Sequence, residues 1–333
     1  MERPQDGPRD LAARMLVVVG IFFAIAWSAA FGIARLVGGD LIVTPIVIAV
    51  VFAAVQYLLA PAIVKWTMGV RYVGRDEEPA LHAMVEESAA AAGIPKPKVG
   101  ISEMGIPNAF AFGRWRGDGR VCVTRPLMDL LSPEELRAVI GHEIAHIRNR
   151  DVMIVTFLSV LPNIFYYIFR ISLRMRGRNS PGPLIAIVAI AAYFLLQLLV
   201  LYVSRIREYG ADEGAVRLGN QPSRLASALY KLVYGSARLE PEEIQAASGF
   251  KAFFASDPSR AADEILSLQD VDVDRSGTIE PHELDRLRTG TVRYRTASRA
   301  VELLRTHPDM LKRIRRLADL QAAGTFRVRA PHA

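Results

Sequence analysis

His142, Glu143 and His146 have the residue types and the spacing of hydrolytic zinc chemistry. On a helix the two histidines stand one turn apart and project from one face, so both imidazoles can grip a single Zn2+ at roughly 2.0–2.1 Å. Glu143 then stands beside the open coordination position, within reach of a water whose proton it can take. The residues ahead of them supply a helix start: Ser132 as N-cap, Pro133 in the first turn, and Glu135 reaching back to close a capping box. Leu136, Val139, Ile140 and Ile144 give that helix an apolar face at helical spacing.

A catalytic zinc needs a third protein ligand and one open position. The chain able to supply that ligand lies beyond a long apolar stretch, residues 152–171 and 184–203, broken by Pro181-Gly182-Pro183. The return leg of such a hairpin delivers the residues just past 203 to the side the chain left. Glu208 stands there as the carboxylate placed to complete a His-His-Glu set. Asp212, one helical turn later, can accept a hydrogen bond from the far nitrogen of a ligating histidine and fix its tautomer. The hairpin tip carries Arg170, Arg174, Arg176 and Arg178, and the first leg contains Pro162 and Asn163, so the sequence fits a shallow, cavity-lining hairpin as well as a spanning one. Both readings return its two ends to one side.

The elements that must position these residues are set by a composition too apolar for an ordinary soluble chain: 333 residues, 51% hydrophobic and only 8% aromatic. Residues 15–37 and 41–63 are each long enough to cross a hydrocarbon core of about 30 Å, and Gly38-Gly39-Asp40 joins them into a first membrane hairpin. The first run exceeds the apolar core of a signal peptide and a second follows at once, which predicts a retained anchor. Arg3, Arg9 and Arg14 before the hairpin and Lys65, Arg71 and Arg75 after it predict cytoplasmic flanks. A single cysteine, Cys122, excludes an intrachain disulfide and agrees with a reducing compartment. The net charge of +7 points to a membrane surface rather than nucleic acid, since no basic run is interleaved with aromatics.

Between the first hairpin and the motif, residues 78–92 read as a helix stopped by Gly93 and Pro95. Three β-like stretches follow, 98–104, 109–115 and 120–124, the last two joined by the turn sequence Gly117-Asp118-Gly119. They predict a small antiparallel sheet. Asn108, Ala109, Phe110 and Ala111 are the candidate edge on which a polypeptide substrate adds as a strand; a sheet that only packs beneath the helix fits equally.

Near the carboxyl end, Asp272, Asp274, Ser276, Thr278, Glu280 and Glu283 occupy the oxygen-supplying positions of a twelve-residue EF-hand-like loop, with Gly277 at position six and Thr278 acting through its carbonyl. Residues 261–268 and 283–288 have helical character on either side. The loop predicts Ca2+ binding; a solvated acidic turn is the alternative. No second loop offers a strand to Ile279, which predicts weak affinity unless it docks elsewhere in the chain or on another subunit. Calcium bound there would order the segment ahead of His307 and so modulate the site.

At this point the chain resembles the HtpX-type membrane zinc endopeptidases, gluzincin relatives of the CAAX prenyl endoproteases. The resemblance rests on Pro107-Asn108-Ala109-Phe110-Ala111, on residues 132–151 with their HExxH core, on Ser204-Arg205-Ile206-Arg207-Glu208-Tyr209-Gly210-Ala211-Asp212, and on Thr306-His307-Pro308 with Arg313. It implies one zinc per chain on His142, His146 and Glu208, Glu143 as base and acid, and Asp212 as the partner of a ligand. It also implies that His307 and Arg313 lie near the scissile carbonyl, where donors stabilise an oxyanion. Family members act in the quality control of membrane proteins, and the EF-hand-like insertion departs from the family pattern.

The expected protein is therefore mainly α: a multi-pass helical membrane protein carrying a cytoplasmic α+β zincin-like metalloprotease domain with a small antiparallel sheet. The expected parts are a tail (1–14), hairpin (15–63), protease part (64–151), second hairpin (152–203), second protease part (204–260), calcium-like insertion (261–290) and carboxyl-terminal helices with a basic tail (291–333). Its substrates would be membrane or misfolded polypeptides at the cell membrane, and oligomerisation is open. The rival is a non-catalytic scaffold or calcium-sensing module with a structural zinc, which a fourth protein ligand would favour and Glu143 argues against.

Overall fold

The computed structural model describes residues 43–158, 160–175, 180, 182–240, 261–268, 270–289 and 308–324. The expected tail, the first leg of the first hairpin, Arg176, Arg178 and His307 lie outside the described residues.

Helix α1 (Val43–Thr67) leads into strand β1 (Val70–Tyr72), followed by α2 (Pro79–Ala92), β2 (Lys98–Ser102), β3 (Ala109–Phe112) and β4 (Arg120–Thr124). The four strands lie in the order β1-β2-β4-β3. β1 pairs antiparallel with β2 and β3 antiparallel with β4, but β2 and β4 run parallel, with Val99 opposite Val121. The sheet is thus mixed, and it has a fourth strand that the expectation of a small antiparallel sheet missed. The cause is burial on both faces. Val121 and Val123 pack with Val99, Ile101 and the motif helix, while Cys122 packs on the opposite side with Phe110, Phe112 and Met68. A strand buried on both faces needs a neighbour at each edge, so β4 inserts between β2 and β3. The β3–β4 connection turns where sequence placed it. Asp118 accepts from Arg114 Nε at 2.7 Å and from an Arg120 terminal nitrogen at 2.9 Å, clasping both legs.

After the short α3 (Arg125–Leu130) comes the motif helix α4 (Pro133–Asn149). Its capping box forms: Glu135 N–H donates to Ser132 Oγ at 3.3 Å and Ser132 N–H to Glu135 Oε2 at 2.8 Å. Helix α4 stops at Arg150, whose φ of 60° is left-handed and redirects the chain. Helices α5 (Asp151–Leu158) and α6 (Val160–Ser172) form the outgoing leg. Helix α7 (Gly182–Arg217) returns as one unbroken helix of 36 residues, about 54 Å long. It runs through the expected boundary at 203, so the apolar leg and the candidate ligand Glu208 share one rigid rod. α7 and residues Val50–Thr67 of α1 are long and apolar enough to cross a membrane, by length and composition.

Four more helices complete the described chain: α8 (Pro222–Ala237), α9 (Ala261–Leu268), α10 (Pro281–Arg288) and α11 (Met310–Ala322). Ile140 and Ile144 of α4, Leu225 and Leu229 of α8, and Ile314 and Leu317 of α11 share one core. Each such side chain contributes about 1.5–3 kcal/mol on burial. Lys231 of α8 donates to the buried cap residue Glu135 at 2.8 Å, tying α8 to the start of α4. Gly214 sets the spacing of α7 against α4, because a Cβ there would stand 2.6 Å from Ala145 Cβ.

Candidate metal centre

Helix α4 turns His142 and His146 toward α7, and their Nε2 atoms face each other at 3.1 Å. Glu208 of α7 completes the group, with Oε2 3.7 Å from His142 Nε2 and Oε1 3.6 Å from His146 Nε2. One donor atom from each of the three residues lies within 4.8 Å of the others.

Each imidazole is held from its other nitrogen by a carboxylate. His142 Nδ1 lies 2.9 Å from Asp212 Oδ1, and His146 Nδ1 lies 2.5 Å from Asp151 Oδ2. A carboxylate at Nδ1 keeps the proton there, so both Nε2 atoms present lone pairs to one another. Two lone pairs at 3.1 Å repel unless a cation lies between them, and the His-His-Glu donor set is the one that leaves zinc an open position. The residues present therefore fit the metal. Burial opposes charge on His142, but the contacts with Asp212 and Glu208 outweigh it and raise its pKa to about 10.

Behind these groups lies a buried cation. Arg313 of α11 donates from Nε to Asp212 Oδ2 at 2.9 Å and from a terminal nitrogen to Oδ1 at 2.7 Å; its other terminal nitrogen is 3.4 Å from Glu208 Oε2. Asp212 lies beyond the apolar stretch 184–203. Burial would push its carboxyl up, but Arg313 and His142 outweigh this and hold it at about 2.

Glu143 is buried beside the group. Burial pushes its carboxyl up and the charge of Glu208 adds to this, against both histidines and a backbone hydrogen bond with Ala111. That contact places β3 against Glu143. β3 is an edge of the sheet, and Ala111, Phe112, Trp115, His146, Ile147 and Met153 are among the residues lining an open cleft there. Asn108 is instead buried within the sheet, where its N–H donates to Thr124 Oγ1 and its C=O accepts from Thr124 N–H, both at 2.9 Å. Phe110 packs into the core on the far face.

Asp151 closes the motif block 132–151, but no role for it was read from the sequence. Its signal is weak: a carboxylate one residue past the helix end, whose approach to His146 depends on the left-handed turn at Arg150. Arg207 Nε lies 3.3 Å from the same Asp151 oxygen that faces His146.

In the calcium-like loop, carboxylate oxygens of Asp272, Asp274 and Glu283 lie within 4.8 Å of one another. Ser276 Oγ donates to the Thr278 carbonyl at 3.2 Å. Glu280 is exposed and stands 3.3 Å from His282 Nδ1, apart from that cluster. Helix α8 supplies what a second loop would have given: Ser227 Oγ accepts from Ile279 N–H at 2.5 Å and donates to the Ile279 carbonyl at 3.1 Å. Tyr230, also on α8, donates to Asp272 Oδ2 at 3.0 Å.

An HExxH helix, a third carboxylate from an apolar helix and an edge strand beside Glu143 define a metallopeptidase on a mainly helical frame. The sequence pattern of peptidase family M48 matches residues 75–321, and the chain belongs to that family. The family is one of metalloproteases and implies zinc. The protein named Protease HtpX homolog of Methanothermobacter thermautotrophicus is 48% identical over 233 residues, covering 69% of this chain and 88% of that relative. A Protease HtpX homolog of Moorella thermoacetica is 35% identical over 284 residues, 80% of this chain and 92% of the relative. Among solved structures, that of S. mikatae Ste24p shares the fold with a TM-score of 0.50 at 18% identity, over 71% of this chain and 62% of that one.

Proposed function

We propose that the chain is a multi-pass membrane zinc endopeptidase that hydrolyses peptide bonds of membrane or misfolded proteins at the cytoplasmic face of the cell membrane, in protein quality control. The observation that carries this is the meeting of His142 and His146 of α4, with Glu143 beside them, and Glu208 of α7, a helix continuous with an apolar leg. From residue 203 to Glu208 is about 8 Å of helix, which supports a site near the bilayer surface.

Zinc held by His142, His146 and Glu208 would supply a Lewis acid for the peptide carbonyl and acidify a water. Glu143 takes the proton of that water and returns it to the leaving amine. Asp212 and Asp151 hold the two rings with Nε2 inward. Arg313, wholly enclosed by its carboxylate partners and the core, lies against Asp212 and Glu208 and holds the Asp212 carboxyl low. His307 is assigned to the oxyanion by the family resemblance. The edge from Ala109 to Ala111 aligns the substrate strand. Detergent-purified protein should cleave casein, stop on removal of zinc and resume on its return; a protein loaded with zinc that cleaves neither casein nor a membrane protein would refute the reading.

We further infer that the loop takes one Ca2+ through the carboxylates of Asp272, Asp274 and Glu283, with Ser276, the Thr278 carbonyl and Glu280 by way of water. Its seat on α8, which packs against α4, gives calcium a route to the site. Glu283→Gln should weaken Ca2+ binding and change proteolysis. Cleavage indifferent to calcium and to that substitution would make the site structural or vestigial.

A further inference from the structure

The β3–β4 turn extends beyond the sheet to the place where the apolar segments emerge. Tyr57 of α1 donates to the Arg114 carbonyl at 2.6 Å, and Tyr57 lies inside the apolar segment Val50–Thr67. Ten residues separate Tyr57 from the end of α1, so the turn reaches about 15 Å back along that helix. On its other side, Arg116 Nε donates to the Arg148 carbonyl at 2.8 Å, in the last turn of α4 and directly ahead of the apolar α5.

What the turn and the neighbouring end of α4 present there is one indole and several cations. Trp115 is 53% exposed, with the Arg114 guanidinium 4.6 Å from its ring centre. Arg114 is neutralised by Asp118. Arg116, Arg148 and Arg150 are exposed, and among the described residues none of them lies in a salt bridge with a carboxylate. An exposed indole among unpaired guanidinium groups, level with an apolar helix, matches the water–lipid boundary: the ring suits the interface and the cations suit acidic headgroups. The cleft beside His146 is lined by the same Trp115 and Arg150.

We propose that Arg114-Trp115-Arg116, with Arg148 and Arg150, is a foot that binds anionic lipid headgroups and sets the peptidase cleft on the membrane surface. The proposal rests on the membrane reading above. By it, polypeptide enters the cleft along the lipid boundary rather than from bulk solvent.

The test uses the full chain in vesicles of phosphatidylcholine, with and without phosphatidylglycerol, after flotation. Trp27 and Trp66 are replaced by Phe so that Trp115 reports alone; the difference spectrum between native protein and Trp115→Phe gives the same signal if that background folds poorly. Expected are a blue shift on moving from detergent to phosphatidylglycerol vesicles, quenching by lipids brominated near the headgroup, and partial loss of both in the Arg116→Gln/Arg148→Gln variant. Trp115 that floats with vesicles but keeps a water-like emission, equally quenched by acrylamide in detergent and in lipid, overturns the foot alone. A shift identical in both lipids overturns the headgroup assignment. Failure of the chain to float overturns the membrane reading together with the foot.

Discussion

Arg313 and Asp212, 101 residues apart in sequence, form a two-pronged ion pair buried from solvent, and the same carboxylate faces the Nδ1 of His142. The pair links α11 to α7 and α4 by a chain of charge: guanidinium, carboxylate, imidazole. Its stabilising role is conditional, because a charge buried without its partner is costly.

Arg313→Ala should therefore destabilise the fold by about 3–5 kcal/mol, since it strands the buried carboxylate of Asp212. Arg313→Lys keeps the charge and loses the fork, so the protein should stay folded while zinc retention falls about 10–100-fold. Thermal melting and competition with a zinc chelator separate the two; a lysine variant that holds zinc as the native protein does would remove Arg313 from the account.

Asp151→Asn should leave α4 in place and weaken zinc by about 10–100-fold, because the His146 ring loses the anion that fixes its tautomer. The check is a chelator titration run beside a melting curve. An unchanged zinc affinity would mean that the short contact at His146 has no part in metal binding.

Gly214→Val would drive a side chain into Ala145, whose Cβ stands 2.6 Å from the position a Cβ would take. Overpacking of this kind costs about 1–3 kcal/mol. Because Glu208 rides on the displaced helix, zinc should be lost at temperatures where the rest of the core still melts cooperatively. Native-like zinc content would show that α7 can shift without moving its carboxylate.

Asp118 gives the pH dependence a sign. Burial would raise its carboxyl, but the hydrogen bonds from Arg114 and Arg120 hold it well below the usual carboxylate range. A depressed folded pKa contributes stability above the unfolded value of about 3.9 and loses it as pH falls below that. The melting gap between native protein and Asp118→Asn should be full at pH 7 and shrink below about pH 4. A gap constant across that range would contradict the clasp.

The parts of this molecule that are local in sequence were legible in it. The capping box at Ser132 and Glu135, the two histidines one turn apart, and the turn at Asp118 depend on neighbours within a few residues. Glu208 and Asp212 were legible for a different reason: a hairpin must return its chain to the side it left. What did not show were the relationships fixed at long range. The parallel pairing of β2 with β4 depends on which strand is buried on both faces, and a short apolar run does not name its neighbours. The continuity of α7 through residue 203 was hidden because a change from apolar to charged composition resembles a boundary, although the backbone hydrogen-bond ladder ignores it. Arg313 was singled out by resemblance as a donor near the carbonyl, and the structure sets its guanidinium against Asp212 and Glu208.

The central claim is that Glu143, buried beside the His142–His146–Glu208 group, is the base of a zinc peptidase. The most direct measurement compares zinc content and cleavage rate of the native chain and Glu143→Gln, purified alike and loaded with zinc. Both proteins should hold one zinc, with cleavage lower in the variant by about 10²–10⁴-fold. Equal cleavage by the two, with zinc bound in both, would contradict the account.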